Sequence, residues 1–190
     1  MNKRQACKIS ELSYPTHDII TSRQSTLRRS MASTIAHIIP CTPEKEEMCK
    51  GIFCDDEEEL KCAYCGEKAT HLDHLFPLID GKFPTGYGTE PGNLVPCCSR
   101  CNQSKGNKKW NDYIDGLSID EETKNASKKK IDNLLKSNLK PNKIEWDEID
   151  GFREEWDELC NKIDEVLNQA KSTLEKYKKI AADKYRLDTL

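Results

Sequence analysis

Two Cys-x-x-Cys pairs in the middle of the chain constrain its fold more than any other feature. The first pair is Cys62 and Cys65, and the second pair is Cys98 and Cys101. Four thiolates at this spacing usually hold one tetrahedral Zn²⁺. The alternative is four reduced cysteines in an apolar core, but the paired spacing favours zinc. The sequence therefore predicts a small domain whose two ends are fixed by a structural zinc ion.

The composition bounds the class of protein. Only 36% of the 190 residues are hydrophobic and 33% are charged, so the core is limited and a zinc ion would compensate for it. The first residues have no apolar run typical of a signal peptide, and no stretch approaches the roughly 18 apolar residues of a membrane span. We therefore expect a reduced, cytoplasmic protein with no membrane association.

The net charge argues against a uniformly basic nucleic-acid binder. The formal net charge is −3 at pH 7. Any affinity for nucleic acid must come from local basic patches, together with a divalent cation that offsets acidic ligands.

Residues 60–115 alternate short apolar runs with connections rich in Gly and Pro. The runs at residues 69–78 and at Leu94–Val95 predict two short strands joined by a loop. A helix is predicted to open near Ser99 and to run towards Ile114. The expected order is strand, loop, strand, helix.

Helical regions are predicted on both sides of this core, over residues 1–59 and 116–190. Ser25 is expected to cap a helix that Pro40 stops, and Thr42 is expected to cap a second helix before an acidic loop at residues 55–59. Two apolar stripes at helical spacing follow, for which core packing is expected and a partner helix is the alternative. The stripes are Ile131, Leu134, Leu135 and Leu139, and then Trp156, Leu159, Ile163, Val166, Ala170, Leu174, Tyr177 and Ile180.

Three polar residues near the cysteines suit the hydrolysis of a phosphodiester. Asp73 offers a carboxylate and Asn102 an amide oxygen to a divalent ion that neutralises charge on the phosphate oxygens. His74 offers a neutral base near pH 7. Adjacent side chains diverge on an ideal strand, so we expect a bulge or a strand end to bring Asp73 and His74 to one phosphate.

A basic stretch accompanies the second cysteine pair. Residues 97–110 contain no acidic residue, and phosphates favour helix N-termini such as the one predicted near Ser99. The sequence therefore predicts a phosphate-facing patch made of Arg100, Lys105, Lys108 and Lys109.

The segments CAYCG, DHLFP and GNLVPCCSRCNQSKGN together resemble the HNH endonuclease family. The resemblance covers about 50 residues and implies a ββα-metal core with a zinc site of four cysteines. Together with the helices predicted on either side, this gives α+β as the expected fold class. The resemblance implies that His74 is the general base, that Asp73 and Asn102 bind the catalytic ion, and that Asn93 orients the base. The final ligand position holds Asn where other members have His, a variation that the family tolerates.

The resemblance also implies a function. We expect a DNA endonuclease that uses Mg²⁺ or Mn²⁺, leaves 5′-phosphate and 3′-hydroxyl ends, and serves in restriction or phage defence. Two alternatives stay open: a nuclease effector subunit of a larger defence complex, and a zinc module that binds nucleic acid without cutting it. A homodimer on DNA, formed through the C-terminal stripe, is a further expectation.

Overall fold

The computed structural model describes residues 23–54 and 59–185, which form a mixed α+β protein as predicted. Its helices are α1 (Gln24–Ile35), α2 (Pro43–Phe53), α3 (Ser99–Lys105), α4 (Trp110–Asp115), α5 (Glu121–Lys136) and α6 (Phe152–Tyr185). Its strands are β1 (His71–His74), β2 (Ile79–Asp80), β3 (Phe83–Pro84) and β4 (Leu94–Cys97).

The strands form two small antiparallel sheets. β1 pairs with β4, with Asp73 opposite Val95 and His74 opposite Leu94. β2 and β3 form a short hairpin inside the loop that connects β1 to β4. The predicted order of strand, loop, strand and helix is confirmed by β1, β4 and α3, although both strands are only 4 residues long.

The helix after the second cysteine pair is shorter than predicted. It ends at Lys105, because Gly106 takes a positive φ of 52° that favours glycine, and a separate helix begins at Trp110. The prediction of one helix reaching Ile114 is therefore wrong. Lys105, the last residue of α3, has its side chain buried inside the protein.

The first two helices were predicted with mixed success. Thr42 caps α2 by accepting a hydrogen bond from the backbone N–H of Lys45, as expected. However, α1 begins at Gln24 and ends at Ile35, so Ser25 does not precede it and Pro40 does not end it. The expected acidic loop lies outside the described residues at positions 55–58.

The main core joins the region of the two cysteine pairs to both flanking regions. Phe53 of α2, Val95 of β4 and Ile131 of α5 belong to one buried cluster. A second cluster contains Ala32 of α1, Ile79 of β2 and Trp156 of α6. Ser25–Lys162 form one compact unit, and α6 from Ile163 onward belongs to another. The division of the chain at residues 59 and 115 into a nuclease core and two helical regions stays a prediction.

The two C-terminal stripes behave differently. Ile131, Leu134 and Leu139 are buried as expected. In the second stripe Trp156 is buried, but five of the apolar side chains are exposed, so the expectation of core packing is wrong for most of it. The exposed residues are Leu159, Val166, Leu174, Tyr177 and Ile180.

No helix in the described part of the chain has the length and apolar character needed to cross a membrane.

Candidate active site and metal centre

The four predicted zinc ligands meet in one cluster. The sulfur atoms of Cys62, Cys65, Cys98 and Cys101 all lie within 4.8 Å of one another. Cys98 is the N-cap of α3, and its sulfur accepts a hydrogen bond from the backbone N–H of Cys101 at 3.4 Å. The loop that carries the first pair is tied to β4 by a bond from the Ala63 N–H to the Pro96 carbonyl, at 2.8 Å. The cluster therefore joins this loop to the start of α3.

The chemistry of the donor set fits a zinc ion. Hydrogen bonding from Cys62 lowers the pKa of Cys65 to about 4, and the same pairing raises the pKa of Cys62. Burial raises the pKa of Cys101 to about 12. Four adjacent thiolates cannot coexist without a compensating positive charge, and a bound cation deprotonates its thiol ligands. The cluster therefore suits a soft-ligand cation such as Zn²⁺.

Asp73, His74 and Asn102 line one cleft of about 340 Å³. His74 is the last residue of β1. This agrees with the expected strand end, at which the neighbouring side chains of Asp73 and His74 can reach a common space. Asn102 follows Cys101 in the first turns of α3, so the cysteine cluster also fixes its position. The structure thus brings together the predicted base and the two predicted oxygen ligands.

The ring of His74 is held by a threonine. Its Nε2 lies 3.0 Å from Oγ1 of Thr89, and burial lowers its pKa, which favours the neutral form. Thr89 is in turn held by the segment after α1: its N–H donates to the carbonyl of His37 at 2.9 Å, and its carbonyl accepts from the N–H of Ile39 at 3.0 Å. Residues outside the cysteine-bounded segment therefore position the partner of His74.

Asn93 is fully buried and makes three hydrogen bonds to the backbone. Its Oδ1 accepts from the N–H of Phe76 at 2.8 Å, and its Nδ2 donates to the carbonyls of Phe76 and Gly88 at 3.0 and 2.9 Å. Phe76 follows β1 by two positions and Gly88 precedes Thr89. A Cβ at Gly88 would lie 2.4 Å from the carbonyl oxygen of His37, so this close approach requires glycine. Asn93 thus joins the backbone that follows His74 to the backbone that precedes Thr89, the hydrogen-bond partner of the His74 ring.

The comparison with family models identifies the segment that carries this geometry. Residues 62–108 match the model described as HNH endonuclease. The chain carries an HNH endonuclease domain. The match begins at the first zinc-cluster cysteine and contains β1, β4 and α3, together with all four polar residues expected to act in catalysis.

A curated relative supports the same assignment. The HNH region is 37% identical over 73 residues to a CRISPR-associated endonuclease Cas9 of Corynebacterium diphtheriae. The aligned region covers 34% of this chain and 6% of that protein. The chain therefore spans a small part of the relative, and no solved structure matches.

The basic patch predicted in the HNH domain is not a single surface. Lys105 is 1% exposed and its Nζ lies 2.9 Å from Oδ2 of Asp73, so its assignment to a phosphate-facing surface is wrong. A charge paired inside the protein cannot face a phosphate in solvent. Arg100 is exposed but lies beside the zinc cluster, where a hydrogen bond with the Cys65 thiolate raises its pKa. Lys108 donates to the Ser104 carbonyl at 2.9 Å, and Lys109 lines a different cleft, beside Trp110.

Several residues at the site were missed by the sequence-based analysis. Arg29 and Ser33 of α1 line the same cleft as His74. Tyr64 donates a hydrogen bond from its hydroxyl to Oδ2 of Asp73 at 2.7 Å. The position of Tyr64 between two cysteines of the cluster was the available signal for its role, whereas no sequence spacing connects α1 to the HNH segment.

Proposed function

We propose that this chain is a metal-dependent HNH endonuclease that hydrolyses phosphodiester bonds of DNA, with zinc as its structural ion. One observation carries the proposal: a carboxylate, a buried imidazole and an amide line a single cleft inside the HNH domain. A module that only binds nucleic acid has no need for these three groups together. The DNA preference rests on the family resemblance.

His74 acts as the general base in this proposal. In the tautomer whose Nε2–H donates to Oγ1 of Thr89, the lone pair lies on Nδ1, and that nitrogen accepts the proton of the attacking water. Burial lowers the pKa of the His74 ring, which favours the neutral form that a base needs. Asn93 acts through its hydrogen bonds to the backbone of Phe76 and Gly88 and so keeps the orientation of the His74 ring fixed.

Asp73 and Asn102 hold the catalytic divalent ion, Mg²⁺ or Mn²⁺. One carboxylate and one amide oxygen fit a hard cation that completes its shell with water and phosphate oxygens. When bound, such an ion supplies positive charge for the phosphate and leaving-group oxygens. Tyr64 and Lys105 both contact Oδ2 of Asp73, so Oδ1 is the oxygen that remains for the ion.

Arg29 provides a phosphate contact from outside the HNH domain. It is exposed on α1 and lines the cleft beside the expected site of hydrolysis. A guanidinium donates two parallel hydrogen bonds to phosphate oxygens, which positions a nucleic-acid backbone without reading its sequence. The N-terminal helix therefore belongs to the proposed nucleic-acid interface.

A second candidate function is a nuclease subunit of a larger defence complex. The exposed apolar side chains of α6 favour it, because contiguous apolar surface marks contact with other proteins. The similarity to a protein named as CRISPR-associated supports a defence role. Cleavage by the purified chain alone distinguishes an autonomous enzyme from a subunit that needs a partner.

The proposal is tested by incubating the zinc-loaded protein with supercoiled plasmid, linear phage DNA and single-stranded RNA. Each substrate is tested with Mg²⁺, with Mn²⁺ and with a chelator. We expect divalent-ion-dependent loss of the supercoiled form and no cleavage with the chelator. Binding of all substrates without cleavage in either metal would support the zinc-module alternative instead.

A further inference from the structure

A buried lysine lies against the carboxylate that is expected to bind the catalytic ion. The Nζ of Lys105 lies 2.9 Å from Oδ2 of Asp73 and donates to the backbone carbonyl of His74 at 2.7 Å. It also lies 5.7 Å from the centre of the Tyr64 ring. A lysine this deeply buried needs paired and hydrogen-bonded neighbours, and these contacts provide them.

Tyr64 contacts the same carboxylate oxygen. Its hydroxyl donates to Oδ2 of Asp73 at 2.7 Å. At this distance the phenol O–H is the donor, because an ionised carboxylate can only accept. Oδ2 is therefore held by one ion pair and one neutral hydrogen bond, and the orientation of the carboxylate is fixed by both.

This arrangement is unfavourable for a free divalent ion. The ammonium group of Lys105 neutralises much of the Asp73 charge and repels a second cation nearby. Asn102, the other expected ligand, is neutral. Hard cations bind more tightly as the number of charged ligands rises, so these groups by themselves form a weak site.

We infer that Lys105 and Tyr64 are positioning residues that keep Asp73 a weak, single-oxygen ligand, so that the divalent ion binds tightly only together with a substrate phosphate. The inference rests on the proposed function, since it assigns the ion to Asp73. Its physical basis is that the phosphate supplies negatively charged oxygen ligands, of which the protein alone offers too few. Metal binding and nucleic-acid binding then strengthen each other to the same extent.

A merely structural role for Lys105 predicts the opposite change in metal affinity when the lysine is replaced. If the lysine only braced β1 against α3, removing it would displace Asp73 and weaken the binding of metal. If its charge weakens the metal site instead, removing that charge strengthens the binding of metal in the absence of nucleic acid. The affinity for Mn²⁺ without DNA therefore separates the two roles.

The experiment measures Mn²⁺ affinity of the zinc-loaded protein by calorimetry and by the Mn²⁺ electron paramagnetic resonance signal. It uses the His74→Ala background, so that DNA remains intact, and compares Lys105→Gln and Tyr64→Phe with the parent. Lys124→Gln serves as a control, because Lys124 is paired with Glu121 on α5 and makes no contact with Asp73. Each variant is measured with and without a short DNA duplex.

We expect Lys105→Gln to bind Mn²⁺ more tightly without DNA, on the order of tenfold, and to gain less affinity when DNA is added. Tyr64→Phe should shift both quantities in the same direction by a smaller factor, and Lys124→Gln should shift neither. Unchanged or weaker Mn²⁺ binding by Lys105→Gln overturns the inference. If Lys105→Gln fails to retain zinc, Tyr64→Phe decides by the same criterion. These affinities do not depend on cleavage, so absence of nuclease activity in the wild type would count against the proposed function alone.

Discussion

At the scale of single residues, the contacts of the site converge on the Asp73 carboxylate: the Tyr64 hydroxyl donates to its Oδ2, and the Lys105 ammonium is paired with the same oxygen. The ligand cysteines, Asp73 and His74 are recognisable because their chemical types and short spacings are characteristic. Lys105 was assigned to the wrong environment because a sequence shows that a residue is charged, not which way its side chain points. Its side chain is buried and paired with Asp73, a partner that lies far away in the sequence.

Replacement of the amide ligand tests the metal assignment at this scale. We expect Asn102→Ala to raise the Mg²⁺ concentration needed for half-maximal cleavage by about tenfold, because the ion loses one oxygen ligand. Asn107→Ala is the matched control, since Asn107 lines the same cleft but is not an expected ligand. An unchanged Mg²⁺ titration for Asn102→Ala would show that the ion is bound elsewhere.

At the scale of elements, the HNH domain depends on chain segments that it does not contain. The strand pair and α3 were predictable from alternating apolar runs and from the cysteine spacing. The support of Thr89 by residues 37–39 was not predictable, because it uses backbone hydrogen bonds that carry no side-chain signature. Glu90 adds a similar connection: it is paired with His37 and accepts hydrogen bonds from Asn142, so both flanking regions meet beside His74.

The zinc cluster should determine whether these elements fold. We expect Cys101→Ser to lose zinc and become sensitive to protease, since structural zinc contributes on the order of 10 kcal/mol in small domains. Cys97→Ala is the control, because Cys97 is buried next to the cluster without belonging to it. Elemental analysis and limited proteolysis check both variants. Folded, active Cys101→Ser protein without zinc would refute a structural role for the ion.

The position of α1 predicts a separate effect on nucleic-acid binding. We expect Arg29→Ala to weaken DNA binding for all sequences alike and to reduce the slope of log affinity against log salt by about 1. Lys129→Ala on α5 removes an exposed charge that does not line the cleft and should leave both quantities unchanged. Fluorescence anisotropy at several salt concentrations measures them. An unaltered salt slope for Arg29→Ala would exclude α1 from the interface.

At the scale of the whole molecule, the α+β class was predictable, whereas the role of the long C-terminal helix was not. The spacing of its apolar residues is the same for core packing and for contact with another protein. The structure leaves most of that stripe exposed, which removes the first explanation for those residues. A homodimer on DNA and attachment to a larger defence complex both remain predictions.

The central claim is that His74 is the base of an endonuclease, and a matched pair of histidine variants tests it most directly. His74→Ala and His71→Ala are compared with the wild type for Mg²⁺-dependent DNA cleavage, DNA affinity and zinc content. His71 lies on the same strand but is exposed and does not line the cleft. We expect His74→Ala to cut DNA at least about 100-fold more slowly with unchanged DNA affinity and zinc content, and His71→Ala to cut normally. Cleavage by His74→Ala at the wild-type rate would contradict the account.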